Sequence, residues 1–127
     1  MFVRITLAMN CIIAALFLSA CEYKRTVVIY TSLDQNYSEP ILKKYEIQSG
    51  IKLKIAYDTE VTKTTGLANR LLAEKDHPQA DVFWNSEIGR TVLLKQQGVL
   101  QPYHSPNAAS VPKQFVDHDG YWTGFSA

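Results

Sequence analysis

The chain has 127 residues, 46% of them hydrophobic and 20% charged, which suits one packed domain and excludes a disordered or collagen-like chain. A formal net charge of +1, from 13 Lys+Arg against 12 Asp+Glu, excludes the clustered basic excess that nucleic-acid binding needs. Two cysteines exclude a multi-disulfide scaffold and a four-thiolate zinc site.

Met1 to Arg4 carries one positive charge, Ile5 to Phe17 is almost unbroken apolar sequence, and Leu18-Ser19-Ala20-Cys21 follows. The apolar run is shorter than the roughly 20 residues that a spanning helix requires, and small residues precede Cys21. The pattern predicts a lipoprotein signal peptide over 1–20, cut before Cys21, with lipid on the new N-terminal cysteine. A short uncleaved anchor is the other reading. Cys11 falls inside the removed segment, so the mature chain has no disulfide. Residues 21–25 read as a polar tether and 26–127 as the folded body.

Thr26 to Thr31 is a β-branched apolar run, suited to a strand buried on both faces. Ser32 to Asn36 is a polar turn. A helix follows, with Ser38 as its cap, Pro40 in its first turn and Gly50 as its C-cap. Its predicted inner face is Tyr37, Ile41, Leu42 and Tyr45, with Lys43, Lys44 and Glu46 toward solvent. Ile51, Leu53, Ile55 and Tyr57 alternate with Lys52, Lys54 and Ala56 as a strand of period two, the lysines on its wet face. Asp58 to Gly66 is a polar loop. Leu67, Leu71 and Leu72 mark a helix to about Lys75, stopped by Asp76-His77-Pro78. Asp81 to Asn85 is a third strand. Glu87 to Gln97 is a third helix, with Ile88, Val92 and Leu94 on one face and Gly98 as its stop. Three prolines exclude a regular element over 101–114, which reads as a long loop. Tyr121 to Phe125 is predicted to open a last strand.

Strands alternating with helices predict an α/β fold, a mostly parallel sheet with helices on both faces and right-handed crossovers. In such sheets ligands sit beyond the carboxyl ends of the strands. Those ends carry the polar clusters Ser32–Asn36, Asp58–Thr65 and Asn85–Glu87. The candidate ligand-binding residues are therefore Ser32, Asp34, Thr64, Thr65, Asn85 and Glu87. Turn and capping chemistry accounts equally well for Ser32, Asp34, Thr64, Thr65 and Glu87. Thr64 and Thr65 precede a helix whose free N–H groups favour an anion. The Walker spacing is absent, so this loop is not a P-loop. His77, His104 and His118 show no metal-ligand spacing. Ser32, Asp34 and His104 lack a Gly-x-Ser-x-Gly elbow, and no enzymatic activity is expected.

Val28-Ile29-Tyr30-Thr31-Ser32, Gly50-Ile51-Lys52, Leu71-Leu72-Ala73-Glu74, Gln79-Ala80-Asp81-Val82-Phe83-Trp84, Gly98-Val99-Leu100-Gln101-Pro102-Tyr103 and Asp119-Gly120-Tyr121-Trp122-Thr123-Gly124-Phe125 resemble, in order, the N-terminal lobe of bacterial extracellular solute-binding proteins of ABC importers. The nearest subgroup is the ferric-iron-binding type. The ordered set over 26–127 carries the resemblance, and no one segment does. It implies a type II periplasmic-binding-protein lobe that ends near the hinge crossover, from a truncated gene or partial sequence. It implies capture of ligand in an interlobe cleft, permease and ATPase partners, and a place outside the cytoplasmic membrane, held there by lipid on Cys21. No cofactor is expected; ferric iron enters only as transported ligand. In the resembling iron binders the first lobe gives a His and a Glu. The His position holds Asp34, and Glu87 lies one residue beyond the Glu position, so Asp34 and Glu87 are the candidate metal ligands. The alternative ligand is a small organic anion, such as an aminoalkylphosphonate, held by Ser32, Thr64 and Thr65. A non-functional truncated remnant is the third reading.

Overall fold

The computed structural model describes residues 25–58 and 65–125. The expected signal peptide, Cys21 and Thr64 lie outside the described residues. In chain order the elements are β1 (Thr26–Thr31), α1 (Gln35–Ser49), β2 (Lys52–Tyr57), α2 (Thr65–Ala73), β3 (Val82–Trp84) and α3 (Ile88–Gln96). Two short 3-10 turns follow, Pro106–Ser110 and Lys113–Phe115.

The β-branched run of β1 lies between β2 and β3, in a parallel sheet of order β2-β1-β3. Register fixes which residues share a face, because side chains alternate along each strand. Tyr30 aligns with Ala56 and Phe83 on one face; Thr31 aligns with Tyr57 and Trp84 on the other. On the Tyr30 face α2 and α3 supply Leu67, Ala68, Leu71 and Leu94, with Ala56, Phe83 and Leu100 packed around them. The Tyr30 hydroxyl is not left bare in that core, where an unmade hydrogen bond is costly. It donates to the Glu74 carboxylate at 3.0 and 3.2 Å, while Arg70 pairs with Glu74 at 2.8 Å and stacks 4.6 Å from the ring centroid. Burial first, then the Glu74 hydrogen bond, raises the Tyr30 pKa. α1 covers the opposite face, where Ile29 and Leu42 are buried.

The structure corrects five sequence-based expectations. Helix α1 starts at Gln35 with Asp34 as N-cap residue, so Ser38 and Pro40 lie inside it. Ser38 Oγ donates to the Asp34 carbonyl at 3.0 Å, which satisfies the hydroxyl within the helix and lets it be buried. Pro40 forgoes its bond to the Asn36 carbonyl. The inner face of α1 follows Ser38, Leu42 and Glu46, so Tyr37, Ile41 and Tyr45 are exposed. Glu46 turns inward because β2 is an edge strand: its Oε1 accepts from the outward N–H of Leu53 at 2.8 Å. Ile88 at the start of α3 is also exposed, and only Leu94 of its predicted face is fully buried. Residues 121–125 form no strand; a lone antiparallel bridge joins Val116 to Thr123. The proline-rich stretch does hold short 3-10 turns, since Pro106 suits a first turn. Gly50, with φ of 69°, closes α1 in the left-handed conformation that the sequence predicts.

The C-terminal stretch is tied to α3 by charge. Lys95 Nζ donates to both Asp117 oxygens at 2.7 and 2.9 Å and to Asp119 at 2.9 Å, and it lies 4.9 Å from the Tyr121 ring centroid. Asp117 also accepts the Tyr121 amide at 3.0 Å. The Lys95 hydrogen bonds hold the Asp117 and Asp119 carboxyls below their usual range and the ammonium above its own. A lowered carboxyl stabilises the fold above its unfolded pKa and loses that effect as pH falls through the folded one. A raised ammonium stabilises below its unfolded pKa and loses that effect as pH rises. Protection of the Tyr121 amide against hydrogen exchange is therefore expected to be highest between about pH 4 and pH 10 and to drop outside that window. Lys95→Met is expected to lower it at neutral pH and flatten the profile.

Candidate functional site

Three strand ends meet on one edge. Thr31, Tyr57 and Trp84, the last residues of β1, β2 and β3, lie in register. The ladder then continues one step past the strands: Ser32 N donates to the Trp84 carbonyl at 3.1 Å, and Asp58 N donates to the Thr31 carbonyl at 2.9 Å. Ser32, Asp58 and Asn85 consequently stand side by side at the carboxyl edge of the sheet. The chain at each of these ends runs on toward the start of α1, α2 or α3. The expectation that the strand ends carrying the polar clusters share one edge is met at Ser32, Asp58 and Asn85.

The candidate residues differ in what they do there. Ser32 is buried, at 7% exposure, and its Oγ has no hydrogen-bond partner among the described residues. Strand alternation puts its side chain on the Tyr30 face, where α2 and α3 begin. Asp34 is exposed at the start of α1, and its carbonyl accepts the Tyr37 and Ser38 amides, each at 3.0 Å. Thr65 opens α2, and its Oγ1 accepts from Arg90 Nη2 at 3.3 Å. Asn85 serves the local turn: Oδ1 accepts the Glu87 amide at 2.7 Å, and Nδ2 donates to Thr91 Oγ1 at 2.9 Å. Glu87 is the N-cap residue of α3, its side chain 56% exposed and 3.9 Å from Arg90. Among the described residues no group of three or more His, Cys, Asp or Glu side chains is arranged to hold a metal ion.

The candidate residues leave out Asp58, Tyr57 and Arg90. Asp58 Oδ2 accepts the Leu67 amide at 3.2 Å and so anchors the first turn of α2 to the end of β2. The Tyr57 hydroxyl is buried at the rim without a hydrogen bond of good geometry among the described residues, and burial raises its pKa. Arg90 lies in the first turn of α3, where no acidic residue is present. A cation at that position opposes the helix dipole, and that conflict was the available signal.

No family model matches the chain. A protein of Sinorhizobium fredii that carries the name of an ABC transporter periplasmic-binding protein is 41% identical over 54 residues, which is 42% of this chain and 15% of that protein. The apo ferric ion-binding protein A of Pasteurella haemolytica superposes with a TM-score of 0.68 and 28% identity, over 79% of this chain and 30% of that one. A periplasmic binding protein of Actinobacillus pleuropneumoniae, solved with exogenous fructose-6-phosphate, superposes with a TM-score of 0.64 and 26% identity, over 72% of this chain and 28% of that one.

The described residues have the α/β fold of a type II periplasmic-binding-protein lobe. Within that class the chain is similar to ferric ion-binding proteins, and it spans about 15% of its curated relative and about 30% of the solved structures.

Proposed function

We propose that this chain contributes a ligand-contacting lobe to the substrate-binding component of an ABC importer. The observation that carries the reading is the alignment of three polar strand ends on one rim, in a fold similar to that of ferric ion-binding proteins. The rim forms one wall of a cleft, and closure on the ligand brings a second wall against it. The protein is placed in the periplasm or on the cell surface, anchored by lipid on Cys21, and works with permease and ATPase subunits. Binding is its role, and it catalyses no reaction: polar side chains at strand ends hold a solute, and the proteins it is similar to are binding proteins.

Ferric iron is the ligand that the similarity favours, with Asp34 and Glu87 as oxygen donors from this lobe. A small organic anion is the second reading, favoured by the uncommitted Ser32 hydroxyl and by the sugar phosphate in a structural neighbour. One wall buries less of a ligand than the roughly 70–90% typical of a closed pocket, so affinity is expected to be weaker than micromolar. Isothermal titration with ferric citrate and with 2-aminoethylphosphonate tests this. Saturable weak heat from either supports the reading. Steady turnover of an ester or phosphate substrate, or silence toward both solutes at millimolar concentration, overturns it.

A further inference from the structure

The two edges of the sheet differ in charge. At the amino edge Lys52 opens β2, and its amide donates to the carbonyl of Arg25, just before β1, at 2.9 Å. Lys54 lies two residues along β2, so strand alternation puts both lysine side chains on one face, in register with Thr26 and Val28. Leu53 between them donates its amide to Glu46 Oε1 at 2.8 Å, which brings the last turn of α1, with Ile47 83% exposed, to the same corner. Arg25, Lys52 and Lys54 are exposed, and none of them is in an ion pair among the described residues. The acids of this edge serve backbone amides instead, Glu46 that of Leu53 and Asp81 that of Val28, each at 2.8 Å. Lys75 and Asp76, both exposed after α2, offset each other. The carboxyl edge has the opposite balance: Asp34, Asp58 and Glu87 stand there with Arg90. Lysines on an edge strand also deter pairing with other chains, but that role covers neither Arg25 nor the contrast between the edges.

We infer that the amino edge docks on an anionic membrane surface, with Arg25, Lys52 and Lys54 toward the lipid headgroups and the strand-end rim facing away. The inference rests on the anchored-receptor reading and gives that receptor an orientation. Cys21 is four residues before Arg25, so lipid on it holds the start of β1 within about 14 Å of the bilayer. An uncleaved apolar run ending at Phe17 would enter at the same edge. β1 has six residues, which at about 3.3 Å each set the rim roughly 20 Å farther out. The field of a charged surface decays over about 8 Å in physiological salt, so it acts on the basic edge and barely reaches the rim. Each cation close to such a surface strengthens attachment. The helix carboxyl ends add partial negative charge on this side, but less than the full charges do, and only within the last turn. The anchor fixes how close the chain stays; the charges fix which way it faces.

The test places the full chain in bicelles that carry a gadolinium-chelating lipid, made of phosphatidylcholine with or without phosphatidylglycerol. Amide relaxation then reads distance from the lipid surface. With phosphatidylglycerol, the Ile47, Lys52 and Leu53 amides are expected to relax faster than those of Ser32, Asp58 and Asn85. That contrast is expected to shrink in phosphatidylcholine alone and at high salt. The double variant Lys52→Gln/Lys54→Gln is expected to cut the ratio of docked to undocked orientations roughly ten- to thirtyfold. Its amide spectrum is expected to stay that of the folded chain, since both side chains are exposed. Rim amides that relax as fast as the amino edge, equal contrast in both lipids, or unchanged contrast in the folded double variant each overturn the inference. So does a chain that stays out of the bicelles. The receptor reading is tested separately in the same bicelles without gadolinium, by shifts of the Ser32 and Asn85 amides on adding 2-aminoethylphosphonate or gallium nitrilotriacetate, a diamagnetic substitute for ferric iron. Such shifts beside a failed lipid result keep the receptor and remove the docking edge. The expected lipid result without any shift keeps the docking edge and removes the receptor.

Discussion

Leu94→Ala is expected to lower the unfolding free energy by about 2–5 kcal/mol, read as a fall in the urea midpoint at unchanged slope. Leu94 is fully excluded from solvent and is the one residue of α3 in the buried cluster with Tyr30, Leu67, Ala68 and Leu71. Its removal would open a cavity where α2, α3 and the central strand meet, and the neighbouring side chains are held by strand and helix geometry that limits collapse. A loss of that size is a large share of the stability of an ordinary domain. Because the same contact seats α3 on the sheet, the Arg90–Thr65 bond and the Asn85 turn should loosen with it. A fall of less than about 1 kcal/mol would show that α3 is not docked as described.

Gly120→Ala is expected to cost about 1–3 kcal/mol and to release His104. Gly120 has φ of 79°, a conformation that L side chains rarely adopt, and an added Cβ would lie 2.6–2.9 Å from three atoms of the His104 ring. The glycine is pinned from both sides. Its amide donates to the Asp117 carbonyl at 3.0 Å, and its carbonyl accepts the Tyr103 amide at 2.8 Å. The backbone therefore cannot turn away, and the imidazole must. Gly50→Ala is the control, since φ there is 69° but nothing lies within 4 Å of the added carbon. Thermal melts of the two variants, with the His104 ring shifts read by NMR, separate backbone strain from steric contact. Equal destabilisation, with the His104 shifts unmoved, would refute the contact.

Much of the architecture was legible because local chemistry and fold agree. The β-branched run over 26–31 became the central strand, the alternation over 52–57 became an edge strand with Lys52 and Lys54 outside, and Gly50 and Gly98 both adopt positive φ at helix ends. Helix α1 was misread at its start and on its inner face for one reason. Its tyrosines and Ile41 are apolar at helical spacing, so they mark a stripe, but the sheet is met by Ser38, Leu42 and Glu46. Period alone gives the spacing of a buried face and leaves its angle to whatever the helix packs on. Tyr121 to Phe125 failed as a strand because strand propensity needs a paired neighbour, and Val116 supplies a single bridge.

The site divides along the same line. The sequence alone determined that polar clusters follow each strand, and strand-helix alternation placed those ends on one edge, because parallel strands joined by helices all point the same way. It also determined which residue types are present there. What those residues do was decided by the tertiary structure. Asn85 is consumed by its own turn, Asp58 tethers α2, and the Ser32 hydroxyl is buried without a partner among the described residues. The reason is that hydrogen-bond partners come from residues far apart in the chain, such as Thr65 and Arg90, and no local pattern encodes which pairs will meet.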